Sequence, residues 1–144
     1  MSDINLPTTI LSKEHENILD LLNIVDNEIS HIENSEDNID RNFFKKVIYF
    51  IKNYADSFHH IKEEDIFFIE LNKDSVSMHC NPIPQMLHEH DLGRWFVKNI
   101  EDALEANNKG KLINSIKSYS ELLREHIYKE DNILYPMADA ALSS

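Results

Sequence analysis

Two stretches of the chain share a pattern that can do chemistry. His59-His60-Ile61-Lys62-Glu63-Glu64 and His126-Ile127-Tyr128-Lys129-Glu130-Asp131 align His on His, Lys on Lys, Glu on Glu and acid on acid, and an apolar run follows each. Each therefore contains His-x-x-x-Glu inside a segment that reads as helix. Four residues are about one helical turn, so the imidazole and the carboxylate stand on one face, one above the other. That is a metal-ligand spacing, and the chain carries it twice.

The elements that must position these side chains follow from the apolar periodicity. A first helix over about 12–33 opens at Ser12, a good N-cap, and carries Leu11, Ile18, Leu22, Val25 and Ile29. A second runs over about 39–71 with Phe44, Ile48, Ile51, Ala55 and Ile66 on one side. The stretch Asn72 to Pro84, holding Met78-His79-Cys80-Asn81, is the main irregular connection. A third helix over about 83–107 opens on proline and stops at Asn107-Asn108-Lys109-Gly110. The fourth covers about 111–134, and Pro136 ends or kinks it before a short tail helix at about 136–142. Four amphipathic helices with mostly short connections predict an all-α, up-down-up-down four-helix bundle, a single domain over 1–144. The repeat also extends further: Glu14-His15-Glu16 on the first helix resembles Glu89-His90-Asp91 on the third. The chain reads as two helical hairpins of one design.

Rotation at about 100° per residue decides which of the eight histidines face inward. His59, Glu63, His126 and Glu130 fall on the apolar faces of helices two and four. His15 clusters with Leu11, Leu19, Leu22 and Ile29, and His90 with Ile83, Met86, Val97 and Leu104. His31 and His88 point away. His60 falls roughly 100° from His59, toward the flank and solvent, and Glu64, Asp65 and Asp131 suit a solvated face. His15 and His90 lie early in odd helices, and His59 and His126 late in even ones. An up-down-up-down bundle then places His15, His59, Glu63, His90, His126 and Glu130 at one end of the core. A lone histidine on an apolar face is ordinarily a hydrogen-bonded core residue. Six polar side chains at one level need partners, however, and a pair of cations satisfies a twofold cluster more naturally than hydrogen bonds alone.

Composition narrows the function classes. A formal charge of −12 argues against nucleic acid and anionic membrane surfaces as partners. One cysteine, Cys80, rules out an intrachain disulfide, and we assign it no role. The N-terminus lacks the basic and apolar regions of a signal peptide, and no apolar run approaches the roughly 20 residues of a membrane span. The expected location is the cytoplasm. The oligomeric state is not legible in the sequence, although Trp95, opposite the inward face of helix three, suits packing or an interface.

At these residues the sequence resembles the hemerythrin-like family, the His-His-Glu (HHE) cation-binding domains. The segments His59-His60-x-x-Glu63-Glu64, Glu89-His90-Asp91-x-Gly93-Arg94 and His126-x-x-x-Glu130-Asp131-x-x-Leu134-Tyr135-Pro136 carry the resemblance, which spans about His15 to Pro136. It implies a four-helix bundle holding two iron ions in a non-haem, oxo- or hydroxo-bridged centre, with His15, His59, Glu63, His90, His126 and Glu130 as ligands. Zinc and manganese are alternatives by donor chemistry. One departure matters. Oxygen-carrying hemerythrins place His-x-x-x-His on the third helix and Asp on the fourth; here those positions hold Arg94 and Glu130. A symmetric set of four histidines and two glutamates argues against reversible oxygen carriage.

The resemblance therefore implies a small-molecule ligand (dioxygen, peroxide or nitric oxide) and an activity of the catalase or nitric-oxide-peroxidase kind. The alternatives are an oxygen- or iron-sensing module without turnover and a reversible carrier. Iron storage is disfavoured, because ferritin-like bundles use Glu-x-x-His in the opposite order. Tyr119, two turns before His126 on the same face, is the candidate to donate a hydrogen bond at the centre or to cap its pocket. Arg94 and Glu101 lean inward on helix three and are candidates to pair near it.

Overall fold

Regular spacing of apolar residues builds the first helix. Leu11, Ile18, Leu22, Val25, Ile29 and Ile32 are all buried along α1 (Pro7–Glu33), a continuous stripe at helical period. The helix begins at Pro7 rather than near Ser12, because proline suits a first turn whose N–H groups have no intrahelical acceptor. The computed structural model describes residues 7–35, 38–60, 62–64 and 83–142.

α2 (Arg41–Phe50) starts at Asp40, whose carboxylate accepts the Phe43 N–H at 3.1 Å. It does not continue as α-helix. Ile51–His60 is π-helical, with each N–H reaching back five residues instead of four. The wider turn rotates successive residues by less than the α-helical angle, which bears directly on His59 and His60. Residues 65–71 of the expected second helix, and Met78-His79-Cys80-Asn81, lie outside the described residues.

α3 (Ile83–Glu105) ends where Asn107 takes a left-handed conformation at φ 54°. The Asn108 N–H then reaches Ala103 O at 2.9 Å and the Asn107 N–H reaches Leu104 O at 3.1 Å, the Schellman closure. Asn108 also opens α4 (Lys109–Lys129) by accepting the Lys111 N–H at 3.1 Å, so one residue terminates one helix and starts the next. A second π-helical run, Glu130–Leu134, leads into α5 (Tyr135–Leu142), with Pro136 in its first turn.

Contacts between chain-distant residues fix the topology. The Lys117–Glu33 ion pair at 2.6 Å puts the start of α4 beside the end of α1, and His15–Asp131 at 2.9 Å joins their opposite ends. Arg41 bonds the Leu104 carbonyl where α2 starts and α3 ends, and Glu64, past the π-helical run that continues α2, meets His90 near the start of α3. The helices run up, down, up and down, an all-α bundle. Its core is split by level. A large apolar cluster from all four long helices includes Phe44, Ile100, Leu112 and Ile116; a smaller one joins Leu11, Ile83, Met86, Leu134, Tyr135 and Ala138. Between them, along each helix, lie buried His15, His59, Glu63, His90, His126 and Glu130. Among the described residues no helix is long and apolar enough to cross a membrane.

Candidate metal centre

The polar layer is assembled from one short motif per helix, and its inward atoms face each other. Glu130 spans two imidazoles: its Oε1 lies 3.0 Å from His15 Nε2 and its Oε2 3.2 Å from His126 Nε2. Glu63 does the same on the other side, with Oε1 3.6 Å from His59 Nε2 and 3.2 Å from His90 Nε2. The donor atoms form two groups, His15–His59–Glu63–Glu130 and His60–Glu63–His90–His126, each within 4.8 Å of one another. All six side chains singled out by rotation and depth meet at this level. His31 and His88 are exposed, and His79 lies outside the described residues.

His60 does not follow the expectation of a flank position. It is buried, and its ring stacks on His90 with centroids 3.9 Å apart and planes at 14°. The cause is the π-helical run: with less rotation per residue, neighbours His59 and His60 can both face inward.

The outer faces of the four imidazoles are held by four carboxylates. His15 Nδ1 donates to Asp131 at 2.9 Å, His59 Nδ1 to Glu14 at 2.8 Å, His90 Nδ1 to Glu64 at 2.7 Å and His126 Nδ1 to Glu89 at 2.8 Å. An ionised carboxylate only accepts, so each Nδ1 carries a proton, and whenever the ring is neutral its Nε2 lone pair points inward. This is the tautomer that binds a cation. A further layer repeats the pattern: Lys62 bonds Glu14, and Lys129 bonds Glu89 at 2.5 Å. Glu64 and Asp131 thus belong to the site and not to a solvated face, because the turn that brings Glu63 and Glu130 inward sets the next residue beside the neighbouring helix's imidazole. The sequence signal was adjacency. Each outer carboxylate is next in the chain to an inward residue, in both hairpins.

Electrostatics agree with a cation-shaped deficit. Burial, then the Glu130 charge beside it, pushes the Glu63 carboxyl up to about 8. Burial opposes ionisation of Glu130 as well, but the neighbouring His126, Glu63 and His15 outweigh it and hold Glu130 well below the carboxylate range. Burial likewise works against charge on His15 and His126. Asp131 and Glu130 nevertheless raise His15 to about 9, and Glu130 and Glu89 raise His126 to about 10. Positive charge is thus favoured where a carboxylate meets His15 and His126, whereas burial lowers His59 and His60. Among the described residues, five buried side-chain atoms have only these ion-pair contacts and no well-formed hydrogen bond: His15 Nε2, His59 Nε2, Glu63 Oε1 and both Glu130 oxygens. Orphaned buried groups of this kind each cost about 1–3 kcal/mol. All five point into the same space, and a hard-to-borderline divalent cation matches both donor types. The residues present fit a metal.

Tyr135 closes one side. Its ring stacks on His15 at 5.6 Å and 9°, and its hydroxyl donates to Glu63 Oε2 at 2.5 Å. The sequence pointed instead to Tyr119, which is buried and lines a cavity of about 230 Å³ on the opposite side, between the first π-helical run, α3 and α4. Asp56, His60, His90, Arg94 and His126 also line it. A water's share of liquid volume is about 30 Å³, and drug-sized ligands need about 300 Å³ or more. This cavity therefore has room for small molecules. Arg94 at its wall pairs with Asp56 at 2.8 Å and Glu64 at 2.7 Å, while Glu101 pairs with Lys52 at 3.0 Å. The expected Arg94–Glu101 pairing gives way because Glu64 and Asp56 present nearer carboxylates from the second helix.

Residues 6–138 match the family model described as the hemerythrin HHE cation binding domain. No curated protein and no solved structure gives a significant match to the chain.

Proposed function

The chain belongs to the hemerythrin HHE cation-binding family, and on that premise we propose that it is a non-haem di-iron protein that binds and reacts with small oxidants: peroxide, dioxygen or nitric oxide. His15 and His59 would hold one ion and His90 and His126 the other, with Glu63 and Glu130 spanning both. The observation that carries this reading is the set of five inward donor atoms without a well-formed hydrogen bond, arranged between two imidazole pairs. Imidazole with carboxylate suits iron, and zinc or manganese can occupy the same donors.

When bound, a pair of redox-active ions supplies electrons and an exchangeable position for a small oxidant. The chain's own residues set the conditions around it. Asp131, Glu14, Glu64 and Glu89 fix the imidazoles, so little reorganisation is needed when a cation enters. Tyr135 anchors Glu63 and seals the His15 side. The cavity beside His90 and His126, with Tyr119 in its wall, has room for peroxide-sized molecules. A buried ionic layer is a poor route to stability, since apolar replacements of buried ion pairs often stabilise by about 1–4 kcal/mol. Its presence favours a functional role over a structural one.

The test is turnover. Iron-loaded, oxidised protein should release oxygen from hydrogen peroxide at an oxygen electrode faster than the same concentration of free iron. The reduced protein should oxidise in air without storing the gas. Oxygen taken up and released unchanged under vacuum, with no peroxide turnover above free iron, would make this site a carrier.

A further inference from the structure

The two halves of the polar layer are not equivalent. The sequence repeat sets His60 opposite Ile127, a buried apolar residue, so only the first hairpin has a second inward imidazole. That imidazole stacks on His90, lies with its ring centroid 6.0 Å from that of His126, and groups with Glu63, His90 and His126 within 4.8 Å between donor atoms. The His15–His59 half is covered by Tyr135 instead. His60 also differs in its outer contact. Its Nδ1 is 4.0 Å from Asp56, too long for a hydrogen bond, and Asp56 is engaged by Arg94. The other four inward imidazoles each have a carboxylate at 2.7–2.9 Å. His60 is thus held in the layer by burial and stacking, not by an outer carboxylate.

We propose that His60 is a fifth imidazole donor, serving the ion beside His90 and His126, so that the two ions have unequal donor sets: three imidazoles against two. The proposal rests on the dinuclear reading above. It places the nitrogen-rich ion on the cavity side, because His60, His90 and His126 all border the cavity. Burial alone does not account for the arrangement, since an apolar residue does the equivalent packing at Ile127.

The experiment compares wild type with His60→Phe, which keeps a ring against His90 but has no donor nitrogen, and with His60→Ala. Circular dichroism of the metal-free proteins identifies which variants fold, and either folded variant suffices. Stepwise ferrous titration and Mössbauer spectra of the iron-57 proteins give the readout. Wild type should load two equivalents and give two quadrupole doublets of equal area. A folded variant should bind its second equivalent more weakly by more than about tenfold, the loss that even an outer-layer partner produces, and its doublets should converge. Unchanged affinity and unchanged doublets in a folded variant would overturn the role of His60 and leave the dinuclear reading standing. A wild-type protein that loads one equivalent would instead fail the dinuclear reading, and this inference with it.

Discussion

His15 and Asp131 are joined across the bundle by a 2.9 Å contact from Nδ1 to Oδ1, while the opposite ring nitrogen of His15 faces Glu130 at 3.0 Å. Two consecutive residues of one helix thus address the two sides of one imidazole on another. Asp131 is held in turn by the Ser12 hydroxyl at 2.7 Å. Removing the carboxylate with Asp131→Ala should leave the fold intact and weaken iron binding about 10–100-fold, the usual cost of an outer partner. Glu89→Gln, acting on His126, should do the same. Competition with a chelator of known affinity measures both. Wild-type affinity in each would mean that the outer carboxylates orient nothing.

His59→Ala and His126→Ala should each lose iron, whereas His88→Ala should retain it, since His88 is exposed on α3. Iron content after reconstitution and desalting is the measurement. Retention in both inward variants would place the ions elsewhere.

Iron should raise the melting temperature. A ligand bound only by the folded state at about 100 times its dissociation constant adds about 2.7 kcal/mol, which for a domain of this size is a shift of several degrees. Equal melting temperatures with and without iron would indicate a polar layer that satisfies itself.

Tyr135→Phe removes the hydroxyl that bonds Glu63 but keeps the ring on His15. We expect a loss of about 1–3 kcal/mol, the cost of leaving the buried Glu63 oxygen without its donor, read from denaturant unfolding of the metal-free protein. No change would assign Tyr135 to packing alone.

The bundle and the meeting of six side chains were legible because both depend only on helical period and on which helix ends adjoin. Rotation placed His15 and His90, and depth brought them level with His59 and His126. His60 was misplaced because the rotation assumed α-helix, whereas Ile51–His60 is π-helical and no residue type there announces it. Glu64 and Asp131 were set in solvent because a run of acids on a helix normally is solvated. Their adjacency to Glu63 and Glu130 in both hairpins carried the opposite signal. Tyr135 was passed over because it sits at the junction where Pro136 was expected to end or kink the fourth helix; the expected tail helix forms, as α5, and it is its first ring that packs onto His15.

The central claim is that this layer holds two ions between four imidazoles and two carboxylates. Anaerobic reconstitution with ferrous iron, removal of loosely bound metal, and elemental analysis against protein concentration test it most directly. Two iron atoms per chain at saturation is the predicted result. One or fewer would contradict the account.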